Sequence, residues 1–314
     1  MRFNGHAVLF LACIPFIVSC DGPTSTPPVA SSQGDPATGK ADDPTSRLEL
    51  KFGVYSTDTP TDVQKQFQDV IKIVEQKASD RLNRPVKVRI EIAPDYDGGI
   101  ADLSEGRVDF ARFGPASYVI CSRQAPDVRI LAMETKKGKK RFNGVICIHK
   151  DSDIEDVSQL KGMKFAFGDD KSTIGRYLSQ NYLAENGVTA DDLESWEYLG
   201  RHDTVGLAVA AGDFHAGALK ESTFKKLVEA GEPIKALVMF PNVTKPWIAR
   251  EGLDDETFMA IKSALLAVDD PAALKALKFD QFADGGSEDY AFIREAIDNN
   301  DVFFAEVDQP TGSG

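Results

Sequence analysis

From residue 48 to residue 134 the chain alternates between two hydrophobic rhythms. "LELKFGV" (48–54) and "VKVRIEI" (86–92) place apolar and polar residues in turn, the period of a strand. Between them Val63, Phe67, Val70, Ile71, Val74 and Ala78 recur at helical spacing and form one apolar face. The pattern continues with a helix predicted at "IADLSEG", a strand at "VDFARFG", a helix at "PASYVICSRQ" that Pro115 opens at its first position, and a strand at "VRILAME". A second series follows, with strands predicted at "GVICIHK", "KFAFG", "SWEYLG", "FHAGAL" and "IKALVMF" and helical stretches between them. Beyond Pro246 the spacing predicts helices over 254–268, 271–279 and 286–298.

Strands alternating with helices imply an α/β fold with parallel-rich sheets. Two such series, joined near 135–142 and again near 241–246, predict a two-lobed body. Residues 48–134 plus 246–304 would form lobe 1, and residues 142–240 lobe 2. A cleft between lobes is the natural ligand site. The basic stretch "TKKGKKR" at 135–141 reads as a solvated connection, because it lacks the spacing of a phosphate loop.

The N-terminal region has a different character. Arg2, an apolar run from Ala7 to Val18 and then Ser19-Cys20 read as an export signal, with an apolar run shorter than the roughly 20 residues of a membrane span. "IVSC" resembles a bacterial lipobox, which implies a lipoprotein signal over residues 1–20 and acylation of Cys20. Residues 21–47, rich in Pro, Ser, Thr, Gly and Asp, have little to bury and read as a disordered tether.

The net charge of −13 makes nucleic acid a poor partner. A small anion is not excluded, since screening over roughly 8–10 Å leaves a site to its own donors. Cys121 and Cys147 either pair in an oxidising compartment or sit as two buried thiols. The sequence has no G-x-S-x-G elbow, no Walker loop and no G-x-G-x-x-G after a strand. Beyond the export signal the histidines are His149, His202 and His215, without the spacing of a zinc site. Enzyme is therefore the weaker class, and no catalytic residue, metal or cofactor is expected.

"GDDKSTIGRYLSQNYLAENG" (168–187) places Ser172 and Thr173 at the mouth of a helix. By themselves they are either an ordinary N-cap or an anion site made of hydroxyls and free N–H groups. The ordered set "FGVYSTD" (52–58), "APDYDGGIADLSEGRVDFARFGPASYV" (93–119), "FAFGDDKSTIG" (165–175), "GRHDTVGLAVAAGDFHAGA" (200–218) and "FPNVTKPWIAR" (240–250) resembles the periplasmic binding proteins of phosphate, phosphite and phosphonate ABC transporters, the phosphonate-binding branch in particular. That resemblance implies a two-lobed type II periplasmic binding protein fold that closes on its ligand.

It also implies where the ligand is held. The family's Ser-Thr-Ser-Gly anion motif falls on Ser172, Thr173, Ile174 and Gly175, with Ile174 replacing one hydroxyl. Tyr96 matches a phenol that points into the cleft, His202 a donor as neutral imidazole or imidazolium, and Glu221 an acidic position that either accepts a proton the ligand retains or pairs with a ligand cation. Lys245 stands where members that bind aminoalkyl phosphonates carry Asp, and Phe142 where Tyr is usual; the lysine disfavours an ammonium-bearing ligand.

The implied function is an exported, lipid-anchored, monomeric receptor. It would capture phosphonate, phosphite or phosphate for an ABC permease in the inner membrane. Competing readings are a receptor of the same fold presenting its ligand to a sensor kinase, and a phosphate-ester hydrolase, which needs a nucleophile or metal cluster that the sequence lacks. Cys20→Ser should release the protein from membranes. Fractionation and intact mass check this: a variant that stays wholly with membranes, or a native protein without acyl mass, contradicts the lipoprotein reading.

Overall fold

A computed structural model describes residues 46–56 and 59–305. The expected export signal, Cys20 and nearly all of the expected tether lie outside the described residues. The first strand, β1 (Leu48–Tyr55), leads into helix α1 (Pro60–Leu82). Thr59 caps this helix through its side chain, which accepts from the Asp62 N–H, and Pro60 occupies a position whose N–H would be unused. The face read from the sequence is the buried one: Val63, Phe67, Val70, Ile71, Val74 and Ala78 all pack inward.

The chain continues as β2 (Val86–Ala93), α2 (Tyr96–Ser104), β3 (Phe110–Arg112), α3 (Pro115–Gln124) and β4 (Arg129–Thr135). It then enters the second lobe with β5 (Arg141–His149) and β6 (Lys164–Phe167), followed by a π-type helical turn, Thr173–Leu178, that runs into α4 (Ser179–Glu185). After β7 (Ser195–Tyr198), α5 (His202–Ala211), β8 (Ala216–Lys220), α6 (Glu221–Glu229) and β9 (Ile234–Val243), the chain returns through β10 (Pro246–Ala249). The last elements are α7 (Asp255–Leu266), α8 (Pro271–Ala276), β11 (Gln281–Ala283), α9 (Ala291–Asp298) and α10 (Asp301–Phe304).

Two sheets result, ordered β11-β4-β10-β3-β1-β2 and β7-β6-β8-β5-β9. β2, β1 and β3 are parallel, as are β7, β6 and β8. The strands that open each crossing run against their neighbours: β5 is antiparallel to β8 and β9, and β10 is antiparallel to β3 and β4. Each sheet is thus mixed, a departure from the parallel-rich expectation. β10 was hidden because "PWIA" is too short to show alternation. Pro246 sits at its first residue, where a missing N–H is tolerated. Trp247 fills the centre of the first lobe, fully buried and stacked on Phe52 at 4.7 Å between ring centroids.

The last helices correct the expected boundary. α7 and α8 pack on α1 in the first lobe, whereas α9 packs on α3 and on the Thr173–Leu178 turn. Phe303 in α10 inserts among second-lobe aromatics, 5.5 Å from Phe167 and 6.3 Å from Trp196. Its carbonyl accepts from Ala190 N–H at 2.7 Å, and Asn300 donates to Gln180 Oε1 at 2.9 Å. Residues 291–304 therefore do not belong wholly to lobe 1. The physical reason is that lobe 2 offers the apolar cover Phe303 needs, which helical periodicity cannot reveal.

Cys121 and Cys147 are free and buried in different apolar clusters, so the two-thiol alternative holds and the disulfide is excluded. Burial pushes both thiols up to about 12. Phe303→Ala should destabilise the protein by about 3–5 kcal/mol through lost burial and the cavity left behind. Urea unfolding measures it, and an unchanged midpoint would remove the α10 contact from the stability of the second lobe.

Candidate functional site

A cavity of about 790 Å³ lies between the two sheets, a size suited to a small-molecule ligand. One end is built from two facing helix N-termini. Gly114 has extended backbone and Pro115 follows it, so α3 begins with the N–H groups of Ala116 and Ser117 free of intrahelical partners. Opposite, Ser172 caps the π-type turn, its Oγ accepting from Gly175 N–H at 3.0 Å. The two ends meet directly: Ala116 N–H donates to Thr173 Oγ1 at 2.9 Å, a hydrogen bond from one lobe to the other.

Two tyrosines complete this end. Tyr55 Oη accepts from Gly114 N–H at 2.6 Å and shares a hydrogen bond with Ser117 Oγ at 2.8 Å. Tyr96, at the start of α2, lies 4.4 Å from Tyr55 between ring centroids, with Ser172 beside it. Burial first, then Tyr55 and Asp169, raise its pKa, so Tyr96 stays a protonated donor. An array of N–H and O–H groups at two positive helix ends is suited to an anion.

Of the residues selected from the sequence, Tyr96, Ser172, Thr173, Ile174, His202 and Glu221 line the cavity. Gly175 does not. Its N–H is used by Ser172, and a Cβ there would lie 2.7 Å from Gly168 Cα, so its place behind the turn is set by close backbone approach. His202 opens α5 with a buried Nδ1 that has no hydrogen-bond partner among the described residues. Burial, together with Lys220 and Lys245, lowers its pKa to about 4, opposed by Asp203. Of the two protonation states considered, the neutral imidazole is therefore the one present at neutral pH. The Glu221 carboxylate accepts from Lys225 Nζ at 2.5 Å and from Asn143 N–H at 3.3 Å. The Lys225 hydrogen bond, above all, holds its pKa below the usual carboxylate range.

The structure adds a second end. Lys245 and Phe142 both line the cavity, as do Arg112 and Lys220, and Lys220 Nζ sits 5.2 Å from the Phe142 ring centroid. The stretch 135–141 is a correction. Lys137 and Gly138 adopt positive φ of 52° and 69°, which closes a tight turn bridged by Lys136 and Lys139. The turn brings Lys136, Lys137, Lys139 and Arg141 to the cavity wall instead of leaving them as a mere solvated link. Seven lysines and two arginines line the cavity against two glutamates, in a chain whose net charge is −13. The signal that could have revealed this is the clustering of lysines at a lobe crossing in an acidic chain. Among the described residues no group of three or more His, Cys, Asp or Glu is placed to hold a metal.

The His202 environment carries a pH dependence. Unfolded, its imidazole protonates near pH 6.5, while the folded protein resists protonation down to about pH 4. The unfolded chain thus binds more protons between these values, and stability falls as pH drops from about 6.5 to 4, by roughly 3 kcal/mol in all. His202→Gln should remove that contribution, so the stability difference between native and variant should change steadily across this window. Denaturant midpoints from pH 4 to 7 check it; a constant difference contradicts the buried neutral imidazole.

The sequence matches the family described as ABC transporter, phosphonate, periplasmic substrate-binding protein over residues 52–290. It is 28% identical over 194 residues to the phosphonates-binding periplasmic protein of Escherichia coli, covering 60% of this chain and 55% of that protein, so the match spans little more than half of that relative. It is 26% identical over 226 residues to a probable ABC transporter phosphite binding protein of Prochlorococcus marinus, covering 66% of this chain and 75% of the relative. A structure of a Prochlorococcus marinus protein in complex with methylphosphonate superposes with a TM-score of 0.66 at 22% identity, over 81% of this chain and 97% of that one, and shows the same two-lobed fold. The matched span contains all of both sheets except the first residues of β1, and the residues that line the cleft, and on that match the chain belongs to the family of periplasmic substrate-binding proteins of phosphonate ABC transporters.

Proposed function

We propose that the protein captures a phosphorus oxyanion, a phosphonate, phosphite or phosphate, between the N-termini of α3 and of the Thr173–Leu178 turn. The observation that carries this reading is the hydrogen bond from Ala116 N–H to Thr173 Oγ1. It sets two helix N-termini from different lobes within reach of one small group. A tetrahedral oxyanion can accept from several directions at once, which suits donors converging from both sides. Ser172, Thr173 and Tyr96 would supply hydroxyls, Ile174 its backbone N–H, and His202 a neutral imidazole. Glu221, ionised and flanked by Lys225, would accept a proton retained by the ligand.

Because the donors come from both lobes, ligand binding would favour the closed arrangement of a hinge crossed by several segments. In this reading the receptor is exported, held at the membrane by lipid on Cys20, acts as a monomer and delivers its ligand to an inner-membrane ABC permease. The names of its relatives support this class, one a phosphonates-binding protein and one a probable phosphite binding protein.

Ser172→Ala and Thr173→Ala should each weaken binding of methylphosphonate or phosphite. The loss of one charge-assisted hydrogen bond amounts to about 1.5–3 kcal/mol, or roughly ten- to a hundredfold in affinity. Calorimetric titration decides it. Unchanged affinity in both variants would return Ser172 to a plain capping role and Thr173 to a plain interlobe contact.

A further inference from the structure

We propose that the cavity contains a second anion subsite, formed by Lys220 and Lys245 with Asn242 and Thr244, and that the ligand is a phosphorus oxyanion bearing a second anionic group. That group is a carboxylate or another phosphoryl group. The inference rests on reading the helix N-termini as the site of the first oxyanion.

The two lysines come from separate parts of the chain. Lys220 closes β8, and Lys245 lies in the crossing between β9 and β10. Neither makes an ion pair among the described residues. The acids that face the cavity already have cationic partners. Glu134 takes the fork of Arg112, with Nη2 to Oε2 at 3.0 Å, and the Trp247 indole N–H at 3.2 Å; Glu221 takes Lys225. Lys220 and Lys245 therefore face Arg112, Lys136 and Lys278 with one neutralised carboxylate among them. The crowding is visible in their basicity. Burial, then Arg112, lowers Lys220 to about 8, and Arg112, then burial and Lys220, push Lys245 well below the usual lysine range. An anion placed between such groups relieves their repulsion.

A second observation is independent of charge. Asn242 and Thr244 line the same cavity, are 2% and 6% exposed, and leave Asn242 Oδ1 and Thr244 Oγ1 without hydrogen-bond partners among the described residues. Buried polar atoms are almost always paired: the Thr244 hydroxyl can donate to an anionic group, and Asn242 Oδ1, an acceptor, can take a proton that such a group retains.

Position separates the two subsites. Ser172 and Thr173 follow β6, while Lys220 ends β8 and Asn242 lies at the end of β9, one and three strands away in the sheet order. The cavity, about 790 Å³ and lined by both sets of residues, has room for more than a single phosphoryl group. An ammonium group at the far end would meet lysines, whereas a negative group would pair with them.

Calorimetric titrations of the full chain with methylphosphonate, phosphonopropionate, methylenediphosphonate and aminoethylphosphonate test this. At least one of the two doubly anionic probes should bind about ten- to a hundredfold more tightly than methylphosphonate, and aminoethylphosphonate more weakly. The tighter of the two identifies the second group as carboxylate or phosphoryl. Lys220→Gln and Lys245→Gln should each cut that advantage about tenfold; if one fails to fold, the other and the native ratios decide. Methylphosphonate binding without any advantage for the doubly anionic probes, or an advantage unchanged in both variants, overturns the second subsite and leaves the first standing. Tighter binding of aminoethylphosphonate than of the doubly anionic probes also overturns it. No binding by any probe removes the phosphorus reading and this inference with it.

Discussion

Glu134 is a buried carboxylate, 5% exposed, on which both the first lobe and the cavity depend. It accepts from the guanidinium of Arg112 at the end of β3 and from the indole of Trp247 in β10, while its own N–H donates to the Lys245 carbonyl at 3.1 Å. Three neighbouring strands are tied at one residue. A buried ion pair offers little net stability, yet losing one partner strands the other charge, so the geometry of this node is strongly constrained. Because Arg112 takes up the Glu134 charge, the lysines around it remain uncompensated. One carboxylate thus sets the position of the crossing and the excess positive charge of the cleft.

The contrast between the whole chain and its cavity follows from screening. A net charge of −13 is spread over a surface whose field fades within about 8–10 Å in physiological salt. Inside the cleft, low-dielectric walls focus the field of nearby lysines. The acidic exterior therefore does not govern what the site selects. Donors at the other end come from backbone N–H groups held by Pro115 and by the Ser172 cap. These donors cannot be turned away by side-chain rotation, which makes that end a preorganised one.

The crossings connect both features. β5 and β10 each run antiparallel inside the sheet they enter, so the segments that join the lobes are anchored by ladders on both sides. α9 and α10 add a third crossing through Phe303 and Asn300. Lys245 and the 136–139 turn lie in the links themselves, which couples the charge of the cavity to the relative position of the lobes.

What the sequence alone determined were the features with short-range causes. The period-two strands at 48–54 and 86–92, the buried face of α1, the Pro115 helix start and the Ser172 cap all follow from local sterics and hydrogen bonding, and the structure has each of them. Tyr96, Thr173 and His202, which line the cavity, were singled out because they stand in motifs that resemble a family, not because their spacing specified a site. Only the tertiary structure decided what depends on residues distant in sequence. β10 exists because β3 and β4 flank it, Phe303 lies where the second lobe has an apolar surface, and Gly175 is needed because Gly168 comes close. The lysines at 136, 220, 245 and 278 are scattered along the chain, and each by itself reads as a solvated charge. Folding brings them to one cavity, where Coulomb interaction at short range and low dielectric turns separate surface-like residues into a single positive field.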